Sequence, residues 1–234
     1  MFNKKKKPIQ TVARKLVTYD SPKSVVSEQF RTVRTNINFS MPDKDLKTLL
    51  FTSSTPGEGK STSASNVAIV FAEEGKKVLL VDADMRKPTM HYTFHKTNST
   101  GLSNLLTRKW ELKDVVIETE IEGLHIVTSG PIPPNPAELL GSKTMDSLIE
   151  EFIAGYDIVV FDAPPLLSVA DAQILSNKCD GTILVISSGT AEKDSVIKAK
   201  EALVSSKANI LGTLLNNFVL EKEHHYYQYY GTGE

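Results

Sequence analysis

The chain has 234 residues, of which 40% are hydrophobic and 24% are charged, a composition typical of a globular protein with a sizeable core. Its formal net charge of −1 gives no overall attraction to nucleic acid, so we expect no nucleic-acid binding. No apolar run reaches the roughly 18 residues of a membrane span, no secretory signal follows the first lysines, and the single cysteine, Cys179, excludes an intramolecular disulfide.

The first predicted element is a helix that begins after Asp20 or Ser21, either of which can cap it, with Pro22 in its first turn. Apolar residues at helical spacing predict the face that packs on the core, namely Val26, Phe30, Val33 and Ile37. Three charged residues fall on the flank and back of this helix, namely Glu28, Arg31 and Arg34. Their spacing predicts a solvated face that carries a Glu–Arg pair.

Short apolar runs then alternate with helix-like segments. Most of these runs are continuously apolar inside their ends, as in strands that are buried on both faces of a parallel sheet. The predicted strands are 47–52, 77–82, 124–128, 156–162, 181–187 and 210–216. The predicted helices are 61–74, 99–107, 137–154, 169–177 and 191–205. This alternation predicts an α/β fold in which helices cover both faces of a parallel sheet.

The domain organisation predicted from the sequence is one folded unit between two tails. Neither an internal repeat nor a long linker divides the chain, so we expect a single domain over residues 20–220. Residues 1–19 include a block of four lysines and are predicted to be a basic N-terminal tail. Residues 221–234, EKEHHYYQYYGTGE, are predicted to be a tyrosine-rich C-terminal tail.

The segment SSTPGEGKST, residues 53–62, joins the first predicted strand to a helix and carries a phosphate-binding pattern. Glycines let backbone N–H groups approach phosphate oxygens, and the helix N-terminus adds unpaired N–H groups. Lys60 can reach the β- and γ-phosphates of a nucleotide, and the hydroxyl of Ser61 can bind Mg²⁺. Ser54 replaces the first glycine of the usual pattern, which makes this a variant P-loop. The residues expected to contact the nucleotide are Pro56, Gly57, Glu58, Gly59, Lys60, Ser61 and Thr62.

Two later strands end in carboxylates. The segment VLLVDADMRKP, residues 78–88, places Asp82 and Asp84 at the edge where open parallel sheets bind ligands. The segment YDIVVFDAPP, residues 156–165, ends its strand at Asp162, which is the pattern of a Walker B carboxylate. Taken singly, each acid could instead cap a turn, with Arg86 as a salt-bridge partner. Together with Lys60 and Ser61 they predict an ATP–Mg²⁺ site within a P-loop NTPase-like fold.

The end of the chain concentrates the tyrosines, since four of the seven fall within residues 226–230: Tyr226, Tyr227, Tyr229 and Tyr230. They could belong to a sticky tail, could add a strand to a neighbouring sheet edge, or could present phenolic hydroxyls as phosphoacceptors. The adjacent His224 and His225 favour a tail pair over a metal site. The H-R-D-L and D-F-G motifs of conventional protein kinases do not occur.

A combination of segments resembles the bacterial tyrosine kinases of Gram-positive bacteria, which are the cytoplasmic partners in capsule and exopolysaccharide synthesis. The segments are EQFRTVR (28–34), SSTPGEGKST (53–62), LLVDADMRKP (79–88), SGPIPPNPAELL (129–140), IVVFDAPP (158–165) and the tyrosine cluster 226–230. The resemblance runs from about residue 20 to the end of the chain. It implies ATP-dependent autophosphorylation in trans on the terminal tyrosines.

The same resemblance implies roles for the site residues and for several partners. Lys60 would bind phosphate, Ser61 would bind Mg²⁺, and Asp82 would be the base toward the tyrosine hydroxyl, while Asp84 and Asp162 organise the metal. Glu28, Arg31 and Arg34 would mediate subunit contacts in a ring-shaped homo-oligomer, which replaces the solvated-face interpretation. The expected partners are a transmembrane adaptor that completes the nucleotide site, a tyrosine phosphatase, and protein substrates in polysaccharide synthesis. The kinase would be cytoplasmic, held at the inner face of the membrane by its adaptor.

Two other functions compete with this prediction. A MinD/ParA-like ATPase switch typically carries an extra lysine early in the P-loop, which residues 53–58 lack, and its membrane-cycling members end in a basic amphipathic helix. A nucleotide-gated scaffold without kinase activity is compatible with the same binding site. The sequence also leaves open which of Asp82 and Asp84 takes the proton, and it offers Asn216 and Asn217 only as candidates for contact with adenine.

Overall fold

The computed structural model describes residues 13–42 and 45–219. The helices are α1 Val17–Asp20, α2 Val25–Ser40, α3 Lys60–Glu73, α4 Met90–Thr93, α5 Leu102–Leu106, α6 Leu112–Val115, α7 Pro136–Leu140, α8 Lys143–Gly155, α9 Asp171–Ser176 and α10 Lys193–Ser205. The strands are β1 Thr48–Ser53, β2 Val78–Asp82, β3 Ile117–Glu118, β4 Leu124–Val127, β5 Ile158–Asp162, β6 Gly181–Ser187 and β7 Ile210–Asn216.

The strands form one seven-stranded sheet in the order β3-β4-β2-β5-β1-β6-β7. Every neighbouring pair is parallel except β3 with β4. Each residue of the three central strands β2, β5 and β1 is buried, which explains why their sequences are apolar without alternation. The predicted α/β fold with a P-loop NTPase-like parallel sheet is confirmed.

Hydrophobic cores fill both faces of the sheet. On one face, inward residues of the central strands such as Leu50 and Phe161 pack with α5 and with α7 to α10. On the other face, Phe51 and Leu80 pack with α2 and α3. Helix α3 lies between the sheet and α2, so its residues from Ala64 to Ala72 are all buried. This central position fixes the N-terminus of α3, and with it the P-loop.

Several features of the fold differ from the sequence predictions. The single helix predicted over residues 137–154 is two helices. The first ends at Leu140 with Gly141 as its C-cap, and Ser142 caps the second by accepting a hydrogen bond from the backbone N–H of Met145. The short elements α1, α4, α6 and β3 were not predicted, since four residues or fewer show no periodicity. Val26, predicted to face the core, is 46% exposed.

The N-terminal boundary also differs. Residues 13–19 were predicted to belong to a tail, but α1 packs on α3, and Thr18 is completely buried there. The folded domain therefore begins before residue 20. Within the described residues, no helix combines the length and the apolar character needed to cross a membrane.

Candidate active site

The register of the sheet brings the predicted acids together. Asp82 at the end of β2 lies directly opposite Asp162 at the end of β5, and Asp162 lies opposite Phe51 in β1. The chain continues from β1 into the P-loop, so the carboxyl ends of three adjacent strands and the N-terminus of α3 meet at one edge. This arrangement brings Lys60, Asp84 and Asp162 into direct contact, as described below.

The P-loop depends on glycines at two positions. Gly57 and Gly59 have φ values of 91° and 92°, in the left-handed region that side chains disfavour. At Gly59 a second constraint applies, because a Cβ there would lie 1.9 Å from Nδ2 of Asn216. That amide donates a hydrogen bond of 3.0 Å to the carbonyl oxygen of Glu58. The end of β7 is therefore packed directly against the loop.

Glu58 supports the loop from inside. Its carboxylate accepts hydrogen bonds from the hydroxyl of Ser54, from the backbone N–H of Thr55 at 2.8 Å and from the Thr55 hydroxyl at 2.6 Å. Only 3% of Glu58 is exposed, so its predicted contact with the nucleotide does not involve the side chain. These bonds also explain the variant motif. Ser54 stands where the usual pattern has a glycine, and its hydroxyl donates to the Glu58 carboxylate within the loop.

Lys60 lies between two carboxylates. Its Nζ is 3.1 Å from Oδ2 of Asp84 and 3.1 Å from Oδ1 of Asp162, and it donates to Oγ of Ser61 at 3.2 Å. Burial by itself would lower the pKa of Lys60, but the charges of Asp162 and Asp84 outweigh it and raise that pKa. The lysine is therefore held as a cation, and an anionic ligand would have to draw it away from these acids.

Asp82 is the most deeply buried of the three acids. It is 0% exposed, and its carboxylate accepts hydrogen bonds from the backbone N–H groups of Asp84, Thr89 and Met90 at 3.2, 3.3 and 3.1 Å. Burial raises the pKa of Asp82 to about 8, and the charge of Asp162 adds to the effect. Burial also raises the pKa of Asp162. Ionisation of these two adjacent buried acids is costly, and a cation beside them would offset that cost, as the charge of Lys60 does in part.

A cavity of about 760 Å³ opens above these residues. Its lining includes these residues that the sequence singled out: Pro56, Gly57, Gly59, Lys60, Ser61, Thr62, Asp84, Asn216 and Asn217. Asp84 reaches this surface, whereas Asp82 and Asp162 lie beneath it. The candidate adenine contacts Asn216 and Asn217 stand at the end of β7, beside the P-loop.

The acids fit a magnesium site that is completed by a substrate. Within the described residues, no group of three or more histidine, cysteine, aspartate or glutamate side chains could hold a metal ion by itself. Mg²⁺ usually takes one or two carboxylates and fills its other positions with water and substrate phosphates. Ser61, Asp84 and Asp162 surround Lys60, as such a shared site requires.

The structure adds residues that the sequence analysis did not assign to the site. Arg86 lines the cavity and forms a bidentate pair with Asp171 of α9, with both N–O distances 2.9 Å. Asp171 is completely buried, so the pair ties the segment between Asp84 and Thr89 to the start of α9. Arg14 and Lys87 also line the cavity. Arg86 and Lys87 lie inside the segment LLVDADMRKP, but its pattern assigned no site role to them, and nothing in the sequence around Arg14 marks that residue.

The charged residues of α2 lie against α3 rather than on a fully solvated face. Arg31 bonds Glu73 at 3.0 and 3.2 Å and Glu28 at 2.6 Å. Arg34 donates to the carbonyl oxygen of Val70 at 2.6 Å, where a cation at a helix C-terminus is favourable. The role of Glu28, Arg31 and Arg34 in subunit contacts stays a prediction. The predicted phosphoacceptors Tyr226, Tyr227, Tyr229 and Tyr230 lie outside the described residues.

The chain is similar to several known proteins. A family model for the AAA domain matches residues 46–196. Tyrosine-protein kinase YwqD of Bacillus subtilis strain 168 is 53% identical over 219 residues, which make up 94% of this chain and 92% of that protein. The crystal structure of the chimerical protein CapA2B2 matches with a TM-score of 0.85 and 43% identity, covering 89% of this chain and 93% of the other. The kinase domain of the Escherichia coli tyrosine kinase ETK matches with a TM-score of 0.83 and 31% identity, covering 93% and 87%.

A protein named in the competing ATPase prediction is also similar in structure, but its sequence is more distant. The septum site-determining protein MinD of Pyrococcus horikoshii OT3, complexed with Mg-ADP, matches with a TM-score of 0.64 and 22% identity over 75% of this chain and 72% of that chain. At this identity the match concerns the fold alone. The fold is therefore shared with this protein, while the sequence of the chain is more similar to the proteins described before it.

Proposed function

This chain belongs to the bacterial tyrosine-protein kinases, and from that premise we propose that it uses ATP and Mg²⁺ to phosphorylate its own C-terminal tyrosines in trans. The acceptors are Tyr226, Tyr227, Tyr229 and Tyr230. The observation that carries the proposal is the position of Lys60, which lies 3.1 Å from both Asp84 and Asp162 at the floor of the cavity beside the P-loop. A cation, a set of acids and a row of loop N–H groups are the parts that phosphoryl transfer needs.

The reaction begins when the triphosphate enters the P-loop and Lys60 exchanges its carboxylates for β- and γ-phosphate oxygens. A tyrosine hydroxyl then loses its proton to a carboxylate, and its oxygen forms a bond to the γ-phosphorus. The bond from that phosphorus to the β,γ-bridging oxygen breaks, and ADP leaves with the electron pair. The protein contributes mainly orientation and charge neutralisation, since the bond changes take place between the tyrosine oxygen and the γ-phosphoryl group.

The proton acceptor is one of the two acids in the Asp82–Asp84 segment. The family resemblance favours Asp82, whereas exposure favours Asp84, because Asp84 reaches the cavity and Asp82 is buried beneath three backbone N–H groups. Bound Mg²⁺ would be held by Ser61, Asp82, Asp84 and Asp162 and would neutralise charge on the phosphates. Because burial raises the pKa of Asp82, a cation that binds to this carboxyl group has to displace a proton from it.

The adaptor is proposed to bind in an apolar groove next to the cavity. The groove, about 440 Å³, lies between α2 and β7 and is lined by residues that include Phe30, Val33 and Phe218. Phe218 is 60% exposed, and Asn216 and Asn217 line both the groove and the nucleotide cavity. An apolar cytoplasmic segment of a transmembrane adaptor that docks here would complete the nucleotide site. It would also hold the kinase at the inner face of the membrane, where capsule or exopolysaccharide synthesis takes place.

Oligomerisation would deliver the tyrosines to a neighbouring site. Glu28, Arg31 and Arg34 lie on one side of α2 and are proposed to contact the next subunit of a ring. Each phosphate adds about −1.5 to −2 charges at pH 7, so crowded phosphotyrosines would repel one another and loosen the ring. A tyrosine phosphatase would then restore the assembly.

Mass spectrometry of the native protein tests the proposal most simply. Phosphotyrosine confined to residues 226–230 is the expected result, and the Lys60→Met variant should carry none. The sites should also become labelled when purified protein is incubated with ATP, Mg²⁺ and a peptide of the adaptor's cytoplasmic segment. Release of inorganic phosphate without phosphotyrosine would instead support the MinD/ParA-like switch, and nucleotide binding without either product would support the scaffold.

A further inference from the structure

The segment of residues 13–20, here called the N-terminal strap, carries Arg14 to the nucleotide cavity. We propose that Arg14 binds acidic side chains that flank the acceptor tyrosine and thereby helps to select the substrate. This inference rests on the proposed kinase function and adds a specificity residue to it. Its support comes from how the strap is held, from the charges around the cavity and from the composition of the acceptor segment.

Asn66 of α3 holds the strap in place. Its Oδ1 accepts hydrogen bonds from the backbone N–H of Thr18 at 3.0 Å and from the Thr18 hydroxyl at 2.9 Å. Its Nδ2 donates to the carbonyl oxygens of Lys15 at 2.9 Å and of Thr62 at 2.8 Å. Both Asn66 and Thr18 are completely buried. A buried amide whose bonds are all satisfied fixes its partners, so the backbone next to Arg14 is anchored to the P-loop helix.

A second hydrogen bond connects Arg14 to helix α4, which follows the segment that carries Asp82 and Asp84. The backbone N–H of Arg14 donates to Oγ1 of Thr93 in α4 at 3.0 Å. Helix α4 begins at Met90, directly after the turn that runs from Asp84 to Thr89. Arg14 is thereby tied to the side of the cavity where Asp84 faces the space for the acceptor hydroxyl.

The charges that line the cavity leave a positive rim. Lys60 is paired with Asp84 and Asp162, and Arg86 is paired with Asp171. Across residues 13–42 and 45–219, no ion pair within 4.0 Å involves Arg14 or Lys87, and both are exposed. Such a rim attracts anionic groups, and the attraction weakens as salt increases.

An acidic peptide fits this rim better than a further phosphate contact does. The phosphates of the nucleotide are already provided with Lys60 and with the N–H groups of the P-loop. The acceptor segment EKEHHYYQYYGTGE carries Glu221, Glu223 and Glu234 around its tyrosines, against the single cation Lys222. Arginine pairs with carboxylates through two parallel hydrogen bonds, which suits recognition of a glutamate.

The test uses two full-length chains. The catalyst has all four tail tyrosines changed to phenylalanine, so that it cannot accept phosphate, and it carries either Arg14 or Arg14→Ala. The acceptor carries Lys60→Met and intact tyrosines, with either its native tail or a tail with Glu221→Gln, Glu223→Gln and Glu234→Gln. Phosphotyrosine formation is followed as a function of acceptor concentration, at saturating ATP and Mg²⁺ and with a saturating peptide of the adaptor's cytoplasmic segment.

Arg14→Ala should lower kcat/KM for the native tail about fivefold, the size expected for an exposed ion pair. We expect little change for the neutralised tail, an unchanged Kd for ATP with Mg²⁺, and an unchanged kcat at saturating acceptor. The matched control is Lys15→Ala, which removes the adjacent cation of the strap and leaves the cavity lining intact. Because Lys15→Ala keeps the backbone carbonyl that Asn66 binds, it should behave like the parent catalyst.

An equal loss for both tails, or weaker ATP binding, would overturn the inference and assign Arg14 to the nucleotide or to the fold. Phosphorylation of both tails at a rate that does not depend on Arg14 would overturn it as well, while the kinase function would stand. If the catalyst with Arg14 phosphorylates neither acceptor, the proposed function itself fails, and the substrate role of Arg14 fails with it.

Discussion

The floor and the rim of the cavity are built in different ways. The floor is made of Lys60, at the start of α3, and of Asp82 and Asp162, which lie beneath it at the ends of two central strands. The rim is made of Arg14, Arg86 and Asn216, which come from three distant parts of the chain and are held by bonds to other side chains or to loop backbone. The floor therefore depends on the sheet, whereas the rim depends on long-range contacts that can change without disturbing the sheet.

The largest expected effect concerns the floor. Lys60→Met should reduce phosphotyrosine formation by at least about 10³-fold, because it removes the buried cation that would neutralise the phosphates. The measurement is the initial rate of tail labelling with ATP and Mg²⁺, and circular dichroism shows whether the fold is retained. A folded variant with substantial activity would contradict the role of Lys60.

Gly59→Ala should have the next largest effect, because it disturbs floor and rim together. The new Cβ would lie 1.9 Å from Nδ2 of Asn216, and its φ of 92° adds strain. We expect ATP affinity to fall roughly 100-fold, which corresponds to about 2.7 kcal/mol. Gly57→Ala is the matched control, since it has a similar φ of 91° but no atom within 4 Å of the new Cβ.

The combination of Gly59→Ala with Asn216→Ala sharpens this comparison. Removing the Asn216 amide relieves the clash but leaves the backbone strain, so adding Gly59→Ala to Asn216→Ala should lower ATP affinity only by about as much as Gly57→Ala does in the parent protein. Isothermal titration calorimetry measures the affinity for ATP of the parent protein, of each single variant and of the double variant. Failure of the double variant to recover any affinity would show that the end of β7 does not limit the P-loop conformation.

Thr18→Val tests the anchoring of the rim. The substitution keeps the shape of the side chain but removes the hydroxyl that donates to the buried Oδ1 of Asn66. Loss of this bond should lower the free energy of unfolding by about 1–3 kcal/mol. Thr32→Val removes an exposed hydroxyl that bonds the carbonyl oxygen of Glu28, and it should change stability by less than about 0.5 kcal/mol. Chemical denaturation compares the two, and equal effects would contradict a specifically anchored strap.

The smallest expected effect is a gain in stability, produced by Asp82→Asn, rather than a loss. Since burial raises the pKa of Asp82 to about 8 from its usual 3.8, the folded protein keeps a proton that the unfolded chain releases between these pH values. This group's contribution to stability therefore falls as pH rises through that window. Asp82→Asn has no proton to keep and should stabilise the unloaded protein at pH 8 by at least about 1 kcal/mol, roughly 2–4 °C in Tm.

The pH dependence of the Asp82→Asn effect identifies its cause. The gain in Tm should shrink as pH is lowered toward 5, because the cost of keeping the Asp82 proton then decreases. The control is Asp45→Asn at an exposed position, for which the change in Tm should not vary with pH in this way. A destabilised Asp82→Asn protein at pH 8 would mean that the carboxylate is ionised and bonded in the unloaded fold.

The sequence predicted the floor well because its residues occur in short local patterns. An apolar run that ends in an acid, or a glycine turn before Lys60, is visible within ten residues, and parallel strands bring such ends together. Of the rim, the sequence offered only Asn216, as a candidate contact with adenine after the last predicted strand. Arg86 pairs with Asp171, which lies 85 positions further along the chain. Asn66 lies within α3, directly before a run of apolar residues. The strap was predicted as a tail because a segment so short has no periodicity.

A structure of the full chain with Mg²⁺ and a non-hydrolysable ATP analogue tests the central claim most directly. The account predicts that the triphosphate lies in the loop of residues 54–61 and that Nζ of Lys60 leaves Asp84 and Asp162 for the β- and γ-phosphate oxygens. It also predicts that the cation lies against Ser61 and the three aspartates. A nucleotide bound elsewhere, or a Lys60 that stays between its two carboxylates while the triphosphate is bound, would contradict it.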